Sequence, residues 1–244
     1  MILIKTNGKK FGIKNKKRIL VLMFIIIFMS ILICCPMILL LFNQEKEDYS
    51  NQIVINNDYY DDFSSSILNS SWLWHNDSNN LSSWSLTTSP GNLHITCPTV
   101  SISWQNGIQD IPYMYQTLPS GDWLIETHVN EPNANEYANG IILYRDNDNW
   151  LIYANHYDSV GEMNLLRSNV DGFIDNVAGG DRGNNMPYLR LEKIGNTYLI
   201  YGSSDGNNWN SYGSWSTNIS YTQMGIWSQS AYSGTFNSDF DYFN

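Results

Sequence analysis

Four side chains in the second half of the chain are of types that bind polyhydroxylated molecules: Glu126, His128, Arg145 and Trp150. An indole ring offers an apolar face for stacking, and the other three groups donate or accept hydrogen bonds. The alternation in the segment 123–129 places Glu126 and His128 on one face of a strand. The opposite, core-facing set is Trp123, Ile125, Thr127 and Val129. We therefore predict that Glu126, His128, Arg145 and Trp150 line one ligand-binding face.

The segment 140–157 is predicted to form the hairpin that carries Arg145 and Trp150. Its strands flank Asp146-Asn147-Asp148-Asn149, a four-residue run rich in turn formers. Both faces of this hairpin hold apolar side chains. The set expected to face the core is Ile142, Tyr144, Leu151 and Tyr153. The set expected on the binding face is Leu143, Arg145, Trp150, Ile152 and His156. Two competing interpretations are that a loop covers this second face and that Trp150 belongs to the core.

Carboxylate pairs that would hydrolyse a glycosidic bond are missing from the predicted strands. That chemistry needs two acids roughly 5–10 Å apart. Glu126 is the sole carboxylate of its strand, and Glu131 and Glu136 flank Pro132 and Asn133 in a predicted loop. The sequence therefore favours a protein without catalytic residues. A glycoside-active enzyme whose acids come from different strands is the alternative.

Motifs for metal binding and nucleophilic catalysis are also missing. The four histidines show neither H-x-x-x-H nor H-E-x-x-H spacing, there is no G-x-S-x-G, and Cys97 precedes Pro98. Asp146 and Asp148 offer oxygen ligands for Ca²⁺, but their string lacks the other positions of an EF-hand loop and suits a hairpin turn. We expect no metal and no cofactor, with calcium as the alternative at these two residues.

The first 42 residues have the composition of a membrane anchor. Residues 1–18 carry seven Lys and Arg and no acid, and residues 19–42 are an uncharged, apolar run of 24 residues. A bilayer core about 30 Å thick requires about 20 apolar residues as a helix. The positive-inside rule then predicts a cytoplasmic tail at 1–18, a signal-anchor helix at 19–42, a stalk at 43–57 and an extracellular domain at 58–244. A cleaved signal peptide is the alternative.

Residues 58–244 have the composition and pattern of an all-β domain. Residues 43–244 hold 23 acidic and six basic side chains, which argues against nucleic-acid binding. Short apolar and β-branched runs alternate with Asn, Asp, Gly and Ser clusters, a pattern typical of an antiparallel sandwich or barrel. We predict a second hairpin over 188–202 and pairing of the terminal segments 59–63 and 240–243 in one sheet. Cys97 is the only Cys after residue 42, so no disulfide is expected within the domain.

An ordered series of strand-and-turn motifs runs through this region. The series is Asp61-Asp62-Phe63, Ser83-Trp84, Gly121-Asp122-Trp123 with Glu126, Gly140 to Tyr144, Asp146-x-Asp148-Asn149-Trp150, Tyr188 to Lys193, Ser204-Asp205-Gly206-x-x-Trp209, and Phe240-Asp241-Tyr242-Phe243. It resembles the concanavalin A-like sandwich family of uncharacterised extracellular domains, which is similar to the C-terminal domain of family 43 β-xylosidases. The resemblance implies a jelly-roll β-sandwich over about residues 58–244. It also implies an accessory role, because in those xylosidases another domain holds the catalytic acids.

These features together favour a membrane-anchored, extracellular, non-catalytic module that binds carbohydrate or another cell-surface polymer. A glycoside hydrolase-like enzyme and a structural or protein-interaction ectodomain are the two alternatives.

Overall fold

The computed structural model describes residues 59–97, 108, 110–130, 137–158, 161–182, 186–230 and 234–244. The predicted cytoplasmic tail, membrane helix and stalk lie outside these residues. Among the residues described, no helix is both long and apolar enough to cross a bilayer.

Within this part of the chain, fourteen strands form two antiparallel sheets, as the alternating sequence pattern predicts. The strands are β1 (Leu73–His75), β2 (Ser83–Ser85), β3 (Leu93–Cys97), β4 (Tyr113–Thr117), β5 (Trp123–Asn130), β6 (Tyr137–Asp146), β7 (Asn149–Asp158), β8 (Gly161–Val170), β9 (Phe173–Arg182), β10 (Tyr188–Ile194), β11 (Thr197–Ser203), β12 (Asn210–Ser216), β13 (Gln223–Ser230) and β14 (Phe236–Phe243). Sheet I has the order β1-β4-β13-β6-β7-β8-β9, and sheet II has the order β12-β11-β10-β5-β14-β3-β2.

The main core lies between the inner faces of the two sheets. Sheet II contributes the set predicted from its alternation, since Trp123, Ile125, Thr127 and Val129 are all less than 5% exposed. Sheet I contributes Ile141, Leu143, Leu151 and Tyr153, each 0% exposed. This face-to-face packing of alternating apolar residues stabilises a two-sheet sandwich.

The two ends of the domain pair in sheet II, which confirms the prediction for the terminal segments. Asp61 and Phe243 exchange two backbone hydrogen bonds of 2.8 Å. The Asp61 carboxylate accepts a further bond of 2.9 Å from Trp72 Nε1, and the Trp72 ring lies edge-on to Phe243 at 5.1 Å. The aspartate of the Asp61-Asp62-Phe63 motif therefore fastens the start of the domain to its last strand.

The β6–β7 hairpin corrects the predicted turn. β6 continues to Asp146 and β7 begins at Asn149, so residues 147 and 148 form a two-residue turn in place of the predicted four. The register shifts between Tyr144 and Asp146, which leaves Arg145 as an unpaired bulge residue.

The bulge at Arg145 also reverses the predicted faces of β6. Ile142 pairs with Ile152, and Leu143 pairs with Leu151. Leu143 therefore faces the core, whereas Ile142 and Tyr144 share the outer face with Trp150 and Ile152. The predicted faces of β7 are confirmed and those of β6 are wrong, because one extra residue inverts the alternation on a single strand.

The hairpin of β10 and β11 forms as predicted, with every residue from Tyr188 to Ile194 paired. Cys97 is a buried free thiol whose Sγ lies 3.4 Å from the carbonyl oxygen of Ser228. Burial raises the pKa of the Cys97 thiol to about 12, so the group stays protonated at physiological pH.

Candidate functional site

The structure separates the four predicted binding residues into two pairs. Glu126 and His128 lie on β5 in sheet II, where they alternate with core residues and therefore point to its outer face. Arg145 and Trp150 belong to the β6–β7 hairpin in sheet I. The four side chains therefore do not converge on one surface, and a ligand role for either pair stays a prediction.

Glu126 is held by a guanidinium on the neighbouring strand. Its Oε1 accepts a hydrogen bond from Nε of Arg190, its cross-strand partner, and forms an ion pair with Nη2 of the same side chain. The guanidinium carbon of Arg190 lies 3.9 Å from the ring centroid of Trp209, a cation–π distance. Glu126 and Trp209 thus occupy an edge and a face of the same guanidinium.

Trp209 is positioned by the Ser204-Asp205-Gly206 turn. The Asp205 carboxylate accepts hydrogen bonds of 2.8 Å from the backbone nitrogens of Asn208 and Asn207. The bonds from Asn208, followed by those from Asn207 and Ser203, hold the pKa of Asp205 below its usual range. The motif therefore shapes the loop that brings Trp209 to Arg190.

His128 is also engaged by its neighbours in sheet II. Its ring stacks on Tyr188 with 4.0 Å between centroids and 13° between planes. Its Nδ1 lies 3.1 Å from Oδ2 of Asp241, at the irregularity in β14. The polar side chains described above on the outer face of sheet II are thus bonded to or stacked on one another.

The outer face of sheet I carries a second, separate apolar cluster. Its most buried members, at 0–1% exposure, are Ile142, Trp150, Ile152, Ala154 and Trp227. Ile108 and Ile111, which precede β4, belong to the same cluster and are each 1% exposed. Trp150, at 1% exposure, is therefore a packing residue of the outer face and is not on the surface.

Beside this buried cluster lies a partly exposed aromatic surface, here called the tyrosine platform: His75, Tyr113, Tyr115, Tyr144 and Gln223. His75 stacks on Tyr113 at 4.4 Å, and the Tyr113 ring lies 5.5 Å from Tyr115 and 5.8 Å from Tyr144. Tyr113 is 3% exposed, while Tyr115 and Tyr144 are partly exposed. The three tyrosine rings therefore form one continuous surface with Tyr113 at its base.

Strand β13, which lies between β4 and β6, carries a glycine where it passes the platform. Gly225 on β13 pairs with Tyr115 on one side and Ile142 on the other. A Cβ at Gly225 would come within 1.9 Å of the carbonyl oxygen of Met114, so only glycine fits. Gln223, two residues earlier, pairs with Tyr144 and lies on the same face.

The hydrogen-bonding capacity of the platform is partly used and partly open. The Tyr144 hydroxyl donates to Asn147 Oδ1 at 2.9 Å, so its oxygen remains as an acceptor. Gln223 Oε1 is buried and has no hydrogen-bond partner in the described part of the chain. Burial, then Tyr144 and Tyr115, raise the pKa of the Tyr113 phenol, which is neutral at physiological pH.

No carboxylate is found at the described outward positions of the three strands that carry most of the platform. Taken from the strand register, these positions of β4, β13 and β6 hold no Asp or Glu, and on β7 the register places Asp158 on the same face, eight residues beyond Trp150. The same part of the chain has no cluster of three or more metal-ligating side chains. Asp146 Oδ1 accepts bonds from Asp148 N at 3.0 Å and Asn149 Nδ2 at 2.8 Å, so this carboxylate closes the hairpin turn.

Sequence reasoning missed most of the platform. A usable signal was present, because Tyr113 and Tyr115 alternate with the core residue Met114 on β4. His75 lies on a three-residue strand, which is too short to show periodicity. The sequence pattern places Tyr144 in the core because it gives no sign of the bulge at Arg145.

Solved structures with this fold include large glycoside hydrolases. The GH43 BlXynB protein from Bacillus licheniformis matches with a TM-score of 0.65 and 18% identity, over 79% of this chain and 40% of that chain. The xylan β-1,4-xylosidase from Bacillus halodurans C-125 matches with a TM-score of 0.59 and 17% identity, over 76% and 38%. The present chain thus spans about 40% of the length of these enzymes.

A shorter protein shows the same fold over nearly its whole length. It is a functionally unknown protein from Saccharomyces cerevisiae, with a TM-score of 0.56 and 16% identity, covering 72% of this chain and 96% of that one. At these identities the structural likeness concerns the fold alone. A search among curated proteins found no match. The model of the β-xylosidase C-terminal concanavalin A-like domain matches residues 60–244, and the chain belongs to that family.

Proposed function

We propose that the sandwich is a non-catalytic module that binds carbohydrate or a similar cell-surface polymer on the tyrosine platform. The observation that carries this proposal is an aromatic surface with a buried acceptor, Gln223 Oε1, that no described residue satisfies. A sugar ring supplies what this surface needs, because its CH face stacks on aromatic rings and its hydroxyls donate hydrogen bonds.

The absence of carboxylates from the described outward positions of β4, β13 and β6, which carry most of the platform, supports a non-catalytic role. Glycoside hydrolysis needs two such groups on either side of the bond. The carboxylate of Glu126 lies on sheet II and is bonded to Arg190, away from the platform. The site as described therefore binds without a general acid or a nucleophile.

The test is a titration of the full-length chain with uncharged oligosaccharides in a zwitterionic, sugar-free detergent. Tyr115→Ala should weaken binding about tenfold, because a stacked aromatic contact contributes about 1–1.5 kcal/mol. Tyr201→Ala is the matched control, since Tyr201 is a partly exposed tyrosine on β11 of sheet II. Equal affinity in the wild type and Tyr115→Ala, or hydrolysis of the sugars, contradicts the proposal.

The proposed location is the outer side of a membrane, with residues 19–42 as the anchor. This rests on the uncharged 24-residue run and the basic residues before it. Full-length protein should sediment with membranes after a high-salt wash, and protease added outside should remove the sandwich. An N-terminus found after residue 36 would show cleavage in place of anchoring.

A further inference from the structure

We infer that the platform selects uncharged glycans and rejects sugars that carry carboxylates. This inference rests on the proposed function and specifies its ligand. It follows from two separate properties of the molecule, the hydrogen-bonding character of the platform and the charge of the domain around it.

The first property acts at short range. Gln223 Oε1 is a buried acceptor without a described partner, and the Tyr144 hydroxyl has already given its proton to Asn147. An occupant of the platform can therefore satisfy Gln223 Oε1 or the Tyr144 oxygen only by donating a hydrogen bond. Sugar hydroxyls donate, whereas an ionised carboxylate only accepts. A uronate carboxylate at this position would leave Gln223 Oε1 unsatisfied and place two acceptors against each other.

The second property acts at long range. Residues 59–244 contain 19 Asp and Glu and five Lys and Arg, a net charge of −14. The hairpin tip next to Tyr144 carries Arg145, Asp146 and Asp148, with Arg145 Nε 3.3 Å from Asp146 Oδ2. Asp148 is therefore an additional negative charge beside the platform. A polyanion approaching this face meets repulsion that salt can screen.

The two properties predict different responses to salt. At about 10 mM salt the screening length is about 30 Å, so the whole domain repels an anionic ligand. At about 1 M the screening length is about 3 Å, and only the short-range mismatch remains. Raising the salt concentration should therefore reduce the ratio of the affinities for uncharged and anionic glycans, but the uncharged glycan should still bind more tightly.

The experiment compares a xylohexaose with a hexagalacturonate on the full-length chain in the same zwitterionic, sugar-free detergent. At 10 mM NaCl the uncharged hexamer should bind at least about tenfold more tightly. At 1 M NaCl a difference of about threefold should persist, while binding of the uncharged hexamer should be nearly independent of salt.

Two lysine substitutions separate the mechanisms. Gln223→Lys replaces the acceptor with a donor, and it should improve hexagalacturonate binding at both salt concentrations. Thr117→Lys is the matched control, because Thr117 is exposed, pairs with Gln223 and adds the same charge while the acceptor is kept. It should improve hexagalacturonate binding only at 10 mM NaCl.

The outcomes distinguish this inference from the proposed function. Equal binding of the two hexamers at 10 mM NaCl, or a preference for the uronate, overturns the inference and leaves carbohydrate binding standing. Failure of both hexamers and of a wider set of uncharged oligosaccharides to bind overturns the proposed function itself. Thermal melting of each variant confirms that it is folded, and an unfolded Gln223→Lys is replaced by Gln223→Leu, which should lose affinity for the uncharged hexamer.

Discussion

The outer faces of the two sheets differ in how far their side chains satisfy one another. On sheet II, charged and aromatic groups are matched to one another, as in Glu126 with Arg190 and His128 with Tyr188 and Asp241. On sheet I, aromatic rings form a buried cluster and the tyrosine platform, where Gln223 Oε1 has no described hydrogen-bond partner. A face whose groups satisfy one another gains little from a ligand, whereas a face with an open acceptor next to stacked rings gains from a donor. This difference, more than the number of polar residues, is the reason for proposing sheet I as the binding side.

The largest expected effect concerns the packing of the two faces. Trp150→Ala should lower the free energy of unfolding by about 3–5 kcal/mol, because the side chain is 1% exposed within the outer cluster of sheet I. Trp209→Ala on sheet II should cost about 1 kcal/mol, since it removes a partly exposed cation–π contact with Arg190. Denaturant unfolding measures both. Similar losses in the two variants would mean that the faces are packed alike.

An intermediate effect is expected from the ion pairs. Glu126→Gln should lower the free energy of unfolding by about 1–2 kcal/mol, because its charge-assisted bonds to Arg190 are only partly exposed to solvent. Arg145→Gln is the comparison on sheet I, where both partners of the pair with Asp146 are nearly half exposed. Its cost should be within about 0.5 kcal/mol. An equal loss of unfolding free energy in the two variants would contradict the view that the charged pairs on sheet II are the stronger ones.

The smallest effect is expected at His128. His128→Phe keeps a ring to stack on Tyr188 and removes only the contact with Asp241. The free energy of unfolding should change by less than about 0.5 kcal/mol, and oligosaccharide affinity should not change. A clear loss of affinity would contradict the location on sheet I and would support the sequence-based prediction that His128 binds the ligand.

More of the fold than of the candidate site could be predicted from the sequence. Alternation in the segment 123–129 predicts the core face of β5 correctly, because successive side chains of a strand without a bulge point to opposite faces. The faces of β6 could not be assigned in this way, since a single bulge at Arg145 has no sequence signature and inverts them.

The burial of Trp150 could be foreseen only in part. Its position on the outer face of sheet I follows from its alternation with Leu151, a core residue of β7. Its exposure of 1% depends on residues such as Ile108 and Ile111, which are distant in sequence. For the same reason, the separation of Glu126 from Trp150 required the strand order, which local patterns do not contain.

The central position of β14 in sheet II has a consequence for how the chain folds. β14 is the last of the described strands in sequence, yet it pairs with β3 on one side and β5 on the other. Phe236 pairs with Cys97, almost 140 residues earlier, so the loop closed by this contact is long. Until residues 236–243 have been synthesised, sheet II remains two fragments with open edges. Such a chain should fold slowly and only after residues 236–243 have been synthesised. During that interval the edges of β3 and β5 are the places where a second chain would pair by mistake.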